Sequence, residues 1–167
     1  MRRTIATIGI VAASLALASC ASSNRVAGVS DAEPGSLAYD RDVFQTLLGN
    51  HELIKREVHE IPDGVETTTE SDNSDVAKLL RDHAHAMKAR IESDRRIRQW
   101  DPMFVTVFNY ASKIRMEIID TPKGVRVRET STDAYAARVI QAHAKMVSAF
   151  AANGSEEALR AHEPPQE

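Results

Sequence analysis

Apolar and polar residues along this chain follow two different periods, and the two periods recur together. An uncharged apolar run, Ile5–Leu17, comes first. Val43, Phe44, Leu47 and Leu48 then fall at helical spacing, with Asp40 or Asp42 before them as a candidate N-cap. Ile61-Pro62-Asp63-Gly64 is a turn signal between two short strands, since proline pre-sets one turn position and glycine suits the other. From Ser71-Asp72-Asn73 onward, Val76, Leu79, Leu80, His83, Met87 and Ile91 share one helical stripe. The second half restates this. Asp101-Pro102 places a cap and an N1 proline before Met103, Phe104, Val107 and Phe108. Ile114, Met116 and Ile118 alternate before Thr121-Pro122-Lys123-Gly124, and Val125 and Val127 alternate after it. Ser131-Thr132-Asp133 precedes the stripe of Val139, Ile140, His143, Val147 and Phe150.

The recurrence is one of residues as well as pattern. Phe44–Ile91 aligns without a gap on Phe104–Ala151, 60 positions on, with identities that include Gly64/Gly124, Ser71/Ser131, His83/His143 and Ala84/Ala144. Twelve of the 48 positions match, where composition alone would supply roughly three. Two copies are too few for a solenoid. The order helix–strand–strand–helix, read twice, predicts an α+β fold: a four-stranded antiparallel sheet with helices on one face, built as one pseudo-symmetric domain. That domain is expected over 37–162, from repeats of about 37–94 and 98–154, with a final short helix from Ser155 to His162 and a tail at 163–167. The polar run Thr67-Thr68-Thr69 places the first hairpin at a sheet edge. Glu92–Gln99 reads as a charged connector, with Trp100 tucked against the core beside the Asp101 cap rather than facing a lipid headgroup.

The first twenty residues read as an address. Met1-Arg2-Arg3-Thr4 is a short positive segment, and the apolar run behind it is too short to span a bilayer. It ends in Leu17-Ala18-Ser19-Cys20, which resembles the lipobox of bacterial lipoproteins. The resemblance implies a signal peptide over 1–19, a diacylglycerol on Cys20 and a triacylated, membrane-anchored N-terminus. Residue 21 is Ala rather than Asp, so by the same resemblance the expected location is the periplasmic leaflet of the outer membrane, with the inner membrane second. Residues 20–36 would then be the lipidated cysteine and a flexible tether. Trp100-Asp101-Pro102 and His143-Ala144 also resemble patterns in small exported bacterial proteins, a likeness that implies no activity.

Composition narrows the chemistry. Cys20 is the single cysteine, which excludes disulfides, cysteine-rich metal sites and c-type haem attachment. The net charge of −3 becomes −5 once Arg2 and Arg3 leave with the signal peptide, so no basic field exists for nucleic acid. No P-loop, HExxH, GxGxxG or nucleophile-elbow pattern is present, and no enzymatic activity is expected.

One matched pair is neither apolar, small nor turn-forming: His83 and His143. A pseudo-two-fold axis between their helices would bring the two imidazoles to a common site. Met87 and Met146 lie one turn away on the same faces. Imidazole with thioether suits copper, or the iron of non-covalent haem. The expectation is therefore a lipid-anchored periplasmic binding protein with His83, His143, Met87 and Met146 around a transition metal, copper favoured, or haem. The alternative is a non-catalytic envelope structural or protein-interaction lipoprotein in which both histidines are satisfied core residues. Glu57 and Glu117 read as a solvated ladder, Ser71 and Ser131 as caps, and His59, His85 and His162 as exposed. His51, whose counterpart is Ala111, is expected at the end of its helix.

Overall fold

The computed structural model describes residues 32–167, so the expected signal peptide, Cys20 and most of the expected tether lie outside the described residues. Helix α1 spans Leu37–Gly49 and is followed by a single 3₁₀ turn, His51–Leu53. Strands β1 (Lys55–Ile61) and β2 (Gly64–Glu70) lead to α2 (Ser74–Glu92). The second copy supplies α3 (Pro102–Asn109), a matching turn at Ala111–Lys113, β3 (Arg115–Thr121), β4 (Gly124–Thr130) and α4 (Ala134–Asn153). A short α5, Ser155–Ala158, closes the helical part. No helix among the described residues is long and apolar enough to cross a membrane.

The sheet is antiparallel throughout, ordered β1-β2-β4-β3, so the second strand of each hairpin lies at the centre. Register across the centre is itself two-fold, since Gly64 faces Thr130 and Glu70 faces Gly124. Here the matched glycines find their reason. A Cβ on Gly64 would stand 1.9 Å from the Glu129 carbonyl oxygen, and one on Gly124 would stand 2.1 Å from that of Thr69. The seam closes only where neither hairpin has a side chain at its turn. Two backbone bonds seal it, from the amides of Ser71 and Ser131 to the carbonyls of Lys123 and Asp63.

The helices cross over. Helix α2 lies on β4 and β3 of the second copy, and α4 lies on β2 and β1 of the first. Matched alanines bring them close. Ala84 packs on Val125 and Val127, while Ala144 packs with Ile140 on Val65. Arg81 on α2 donates to the carbonyl of Thr121, and Gln141, at the same place on α4, donates to that of Ile61. The exposed ion pairs His85–Asp120 and Lys145–Glu60 repeat the relation one turn later. Each hairpin is thus covered by the other copy's helix.

Several expectations are corrected at this level. The N-cap of α1 is Ser36, whose hydroxyl accepts from the Tyr39 amide. Asp40 instead lies inside and pairs with Arg90, both side chains at most 5% exposed. Helices α2 and α4 are capped by Asn73 and Asp133, and Ser71 and Ser131 accept from the amides of those cap residues, shaping the turn before them. Strand β2 is central and its Thr67 and Thr69 are buried. Trp100 is 56% exposed, with the Arg98 guanidinium over its ring. Helix α5 stops four residues before His162, which turns back to Asp101. The carboxylate of Asp101 faces both His162 and Arg98, the His162 amide reaches its other oxygen, and Glu157 holds the far side of the imidazole. Burial pushes the Asp101 carboxyl up, but bonds from His162 and Arg98 outweigh it and hold the group below the ordinary range. The last residues run along α4 and α3, where Tyr135 donates to the carbonyl of Pro165 and Tyr110 to Glu167.

Candidate binding site between the repeats

The polar groups that matter lie where α2 and α4 pack on the inner face of the sheet. On that face β1 contributes Arg56, β2 Thr67 and Thr69, and β4 Val125, Val127 and Glu129. Period-two alternation puts all of these on the helix side. From above come His83 on α2 and His143 on α4, one position before the alanines that touch the sheet.

Duplication places the two imidazoles equivalently and each packs on an equivalent ring. Phe44 of α1 stacks on His83 with centroids 5.7 Å apart, and Phe104 of α3 meets His143 edge-on at 5.8 Å. Both histidines are half-buried. Burial pushes each down to about 4; for His83 the charge of Asp40 opposes this. For His143 the positive charges of Arg56 and His83 push the same way as burial, and Asp101 pushes back. The histidines therefore lie within electrostatic range of one another and are neutral at neutral pH, the form in which imidazole ligates. Their ring nitrogens form no hydrogen bond with any described residue, and His83 Nδ1 is shut away from solvent as well.

Arg56 and Glu129 complete the set, and neither belongs to a matched pair. Met116 stands where the repeat would put a second Arg56, and Thr69 stands opposite Glu129 in the same sense. Arg56 Nη1 donates to Thr69 Oγ1 at 2.5 Å, and Nε donates to Ser148 Oγ of α4 at 3.3 Å. Burial pushes the guanidinium down to about 10, with Glu129 acting against it. Burial pushes the Glu129 carboxyl up to about 7, with Arg56 acting against that shift. The buried Thr69 on a central strand is thus a hydroxyl in service of a half-buried cation.

Of the expected metal ligands, His83 and His143 are brought to the same interior. Met146 is not. It is buried in the apolar cluster of Leu48, Met103, Val107, Val139 and Phe150, on the α3 side of its helix. Met87 is half-buried one turn beyond His83. Among the described residues no group of three or more His, Cys, Asp or Glu side chains converges closely enough to hold a metal ion. The donor set is two neutral imidazoles, without a third protein ligand of those types. Glu57 and Glu117 lie on the opposite, outer face, where Arg115 pairs with Glu117 at 2.6 Å. His51 sits just past α1 against the carbonyl of Ala151, and His59 is exposed.

Two shallow surface depressions lie elsewhere, one beside β3 under Lys88 and Glu92, the other on the outer sheet face around His59 and Arg126. Arg56 and Glu129 were not found from the sequence, because attention to matched positions passes over residues that break the repeat. The signal was there: two inward strand positions where one copy carries a charge and the other does not. Comparison with protein-family models, curated proteins and solved structures returned no match.

Proposed function

We propose that this protein is a non-catalytic, lipid-anchored binding protein of the bacterial envelope, holding its ligand in the polar interior between α2 and α4. The observation that carries this reading is the pair His83 and His143: two neutral imidazoles, equivalent by the repeat, with ring nitrogens that no described residue engages. Buried polar atoms are ordinarily satisfied by protein or water. His83 Nδ1 is buried and without a protein partner, as a ligand site requires of its donors. Copper or the iron of haem would suit the imidazoles.

A second reading is favoured by a different observation, the packing of each imidazole on a phenylalanine of the preceding helix. In it the histidines are core residues and the protein acts in the envelope by contact with other proteins. Elemental mass spectrometry of the full chain, purified from membranes without a histidine tag, separates the two. Near-stoichiometric copper, zinc or iron that falls in both His83→Ala and His143→Ala supports a metal-binding protein. Trace metal in the wild type, unchanged by supplying copper or haemin, removes the metal from the reading and favours the packing role.

A further inference from the structure

Arg56 makes no direct ion pair, although the charge of Glu129 reaches it from beyond ion-pair distance. Its guanidinium is held by two neutral hydroxyls, and no carboxylate among the described residues forms an ion pair with it. Leaving water is costly for a charge, so buried charges are ordinarily paired. The repeat shows that the fold does not need this one, because Met116 fills the equivalent position in the second hairpin. Thr69 and Ser148 fix the guanidinium in orientation, bonding Nη1 and Nε, while Nη2 makes no hydrogen bond to a described residue. His143, close enough to feel the charge of Arg56, contributes imidazole nitrogens equally without partners.

Resting on the reading of this interior as a ligand site, we propose that Arg56 binds an oxyanion, a carboxylate or phosphate group, with His143 as a neighbouring donor. Arginine matches the planar or tetrahedral oxygens of such groups and bonds them more strongly than it bonds neutral hydroxyls. The nearest acid, Glu129, does not replace the anion, since it stands outside ion-pair distance. Its carboxyl, protonated, would donate a further hydrogen bond to a bound oxygen. A metal or haem on the histidines is not needed for this step, although a ligand carrying a carboxylate would satisfy both places.

The test is isothermal titration of the full detergent-solubilised chain with inorganic phosphate and, separately, with succinate, at constant ionic strength. One of the two is expected to bind saturably at one site, and the arm that saturates names the oxyanion. Arg56→Met, the residue the second repeat already uses, is expected to weaken that binding about tenfold or more while circular dichroism stays unchanged. Arg56→Lys is expected to fall between. Arg115→Met, at an exposed arginine on the outer sheet face, is expected to leave anion binding within a factor of about two; the elemental measurement reads the histidines and the titration reads Arg56, so a failed metal measurement and a failed anion measurement remain distinguishable. If neither anion saturates, or if Arg56→Met binds as the wild type does, the proposal is wrong and Arg56 is only an internal strut.

Discussion

At the scale of single residues, the matched glycines make the sharpest prediction. Gly64→Ala and Gly124→Ala would each drive a methyl into a carbonyl oxygen of the facing hairpin, backbone that cannot swing aside. Each is expected to cost about 2–4 kcal/mol in urea unfolding. Gly49→Ala, where a Cβ meets nothing within 4 Å, should be neutral or mildly stabilising. A sequence reader sees all three as glycines; only the two that recur 60 residues apart mark the seam. Arg90 makes a second case. Its partner Asp40 is buried, so Arg90→Ala strands a carboxylate and is expected to cost about 3–5 kcal/mol, again by urea unfolding. That pair was illegible beforehand. Asp40 precedes a helical stripe and looked like a cap, and nothing local says that residue 90 will reach it.

At the scale of elements, the duplication and its period-two and period-3.6 patterns were enough to place four strands and the two long helices. What they could not supply was which hairpin each helix covers. Both arrangements bury the same stripes, and the choice is made by contacts such as Arg81 to Thr121 and Gln141 to Ile61, between residues 40 or 80 apart. The crossing has a measurable outcome. A fragment of residues 32–97 lacks the helix that covers its own sheet, so alone it should show no cooperative thermal transition as a monomer. Mixed with 98–167 it should regain one, by circular dichroism and size-exclusion chromatography. A cooperative, monomeric first fragment would contradict the crossover. Thr67 and Thr69 illustrate the remaining limit. Polar residues in a strand signal an edge until one knows that a half-buried guanidinium needs a hydroxyl.

At the scale of the whole molecule, the interior charges set how stability responds to pH. The histidines, near 4 when folded against 6.5 in an open chain, stay neutral in the native state while the unfolded state takes up protons. Stability from this source is complete above pH 6.5 and is lost as pH falls toward 4. Glu129 acts with the opposite sign. Raised from 4.5 to about 7, it stabilises most at low pH and loses that contribution as pH rises through 7. Between pH 5 and 5.5 two histidines oppose one glutamate, leaving the unfolded state about one proton ahead, a lead that shrinks toward pH 6.5. Urea unfolding free energy should then fall by about 1.4 kcal/mol per pH unit on acidification across that window. His143→Gln should reduce the slope to near zero. A steeper fall in the variant than in the wild type would contradict this account.

The crossed helices also impose an order in time. Val65, on a central strand, finds its cover in Ile140 and Ala144, so the first hairpin is finished about 75 residues before the helix that shields it exists. At synthesis rates of about 5–20 residues per second, that inner face waits for several seconds. In the meantime only the β1–β2 ladder and the contact of α1 with α2, through Val43, Leu47, Val76, Leu79 and Leu80, can form locally. The sheet therefore closes last and all at once, when the second copy arrives whole, and a chain interrupted before α4 presents an open, strand-bearing surface to whatever chaperone or protease is at hand.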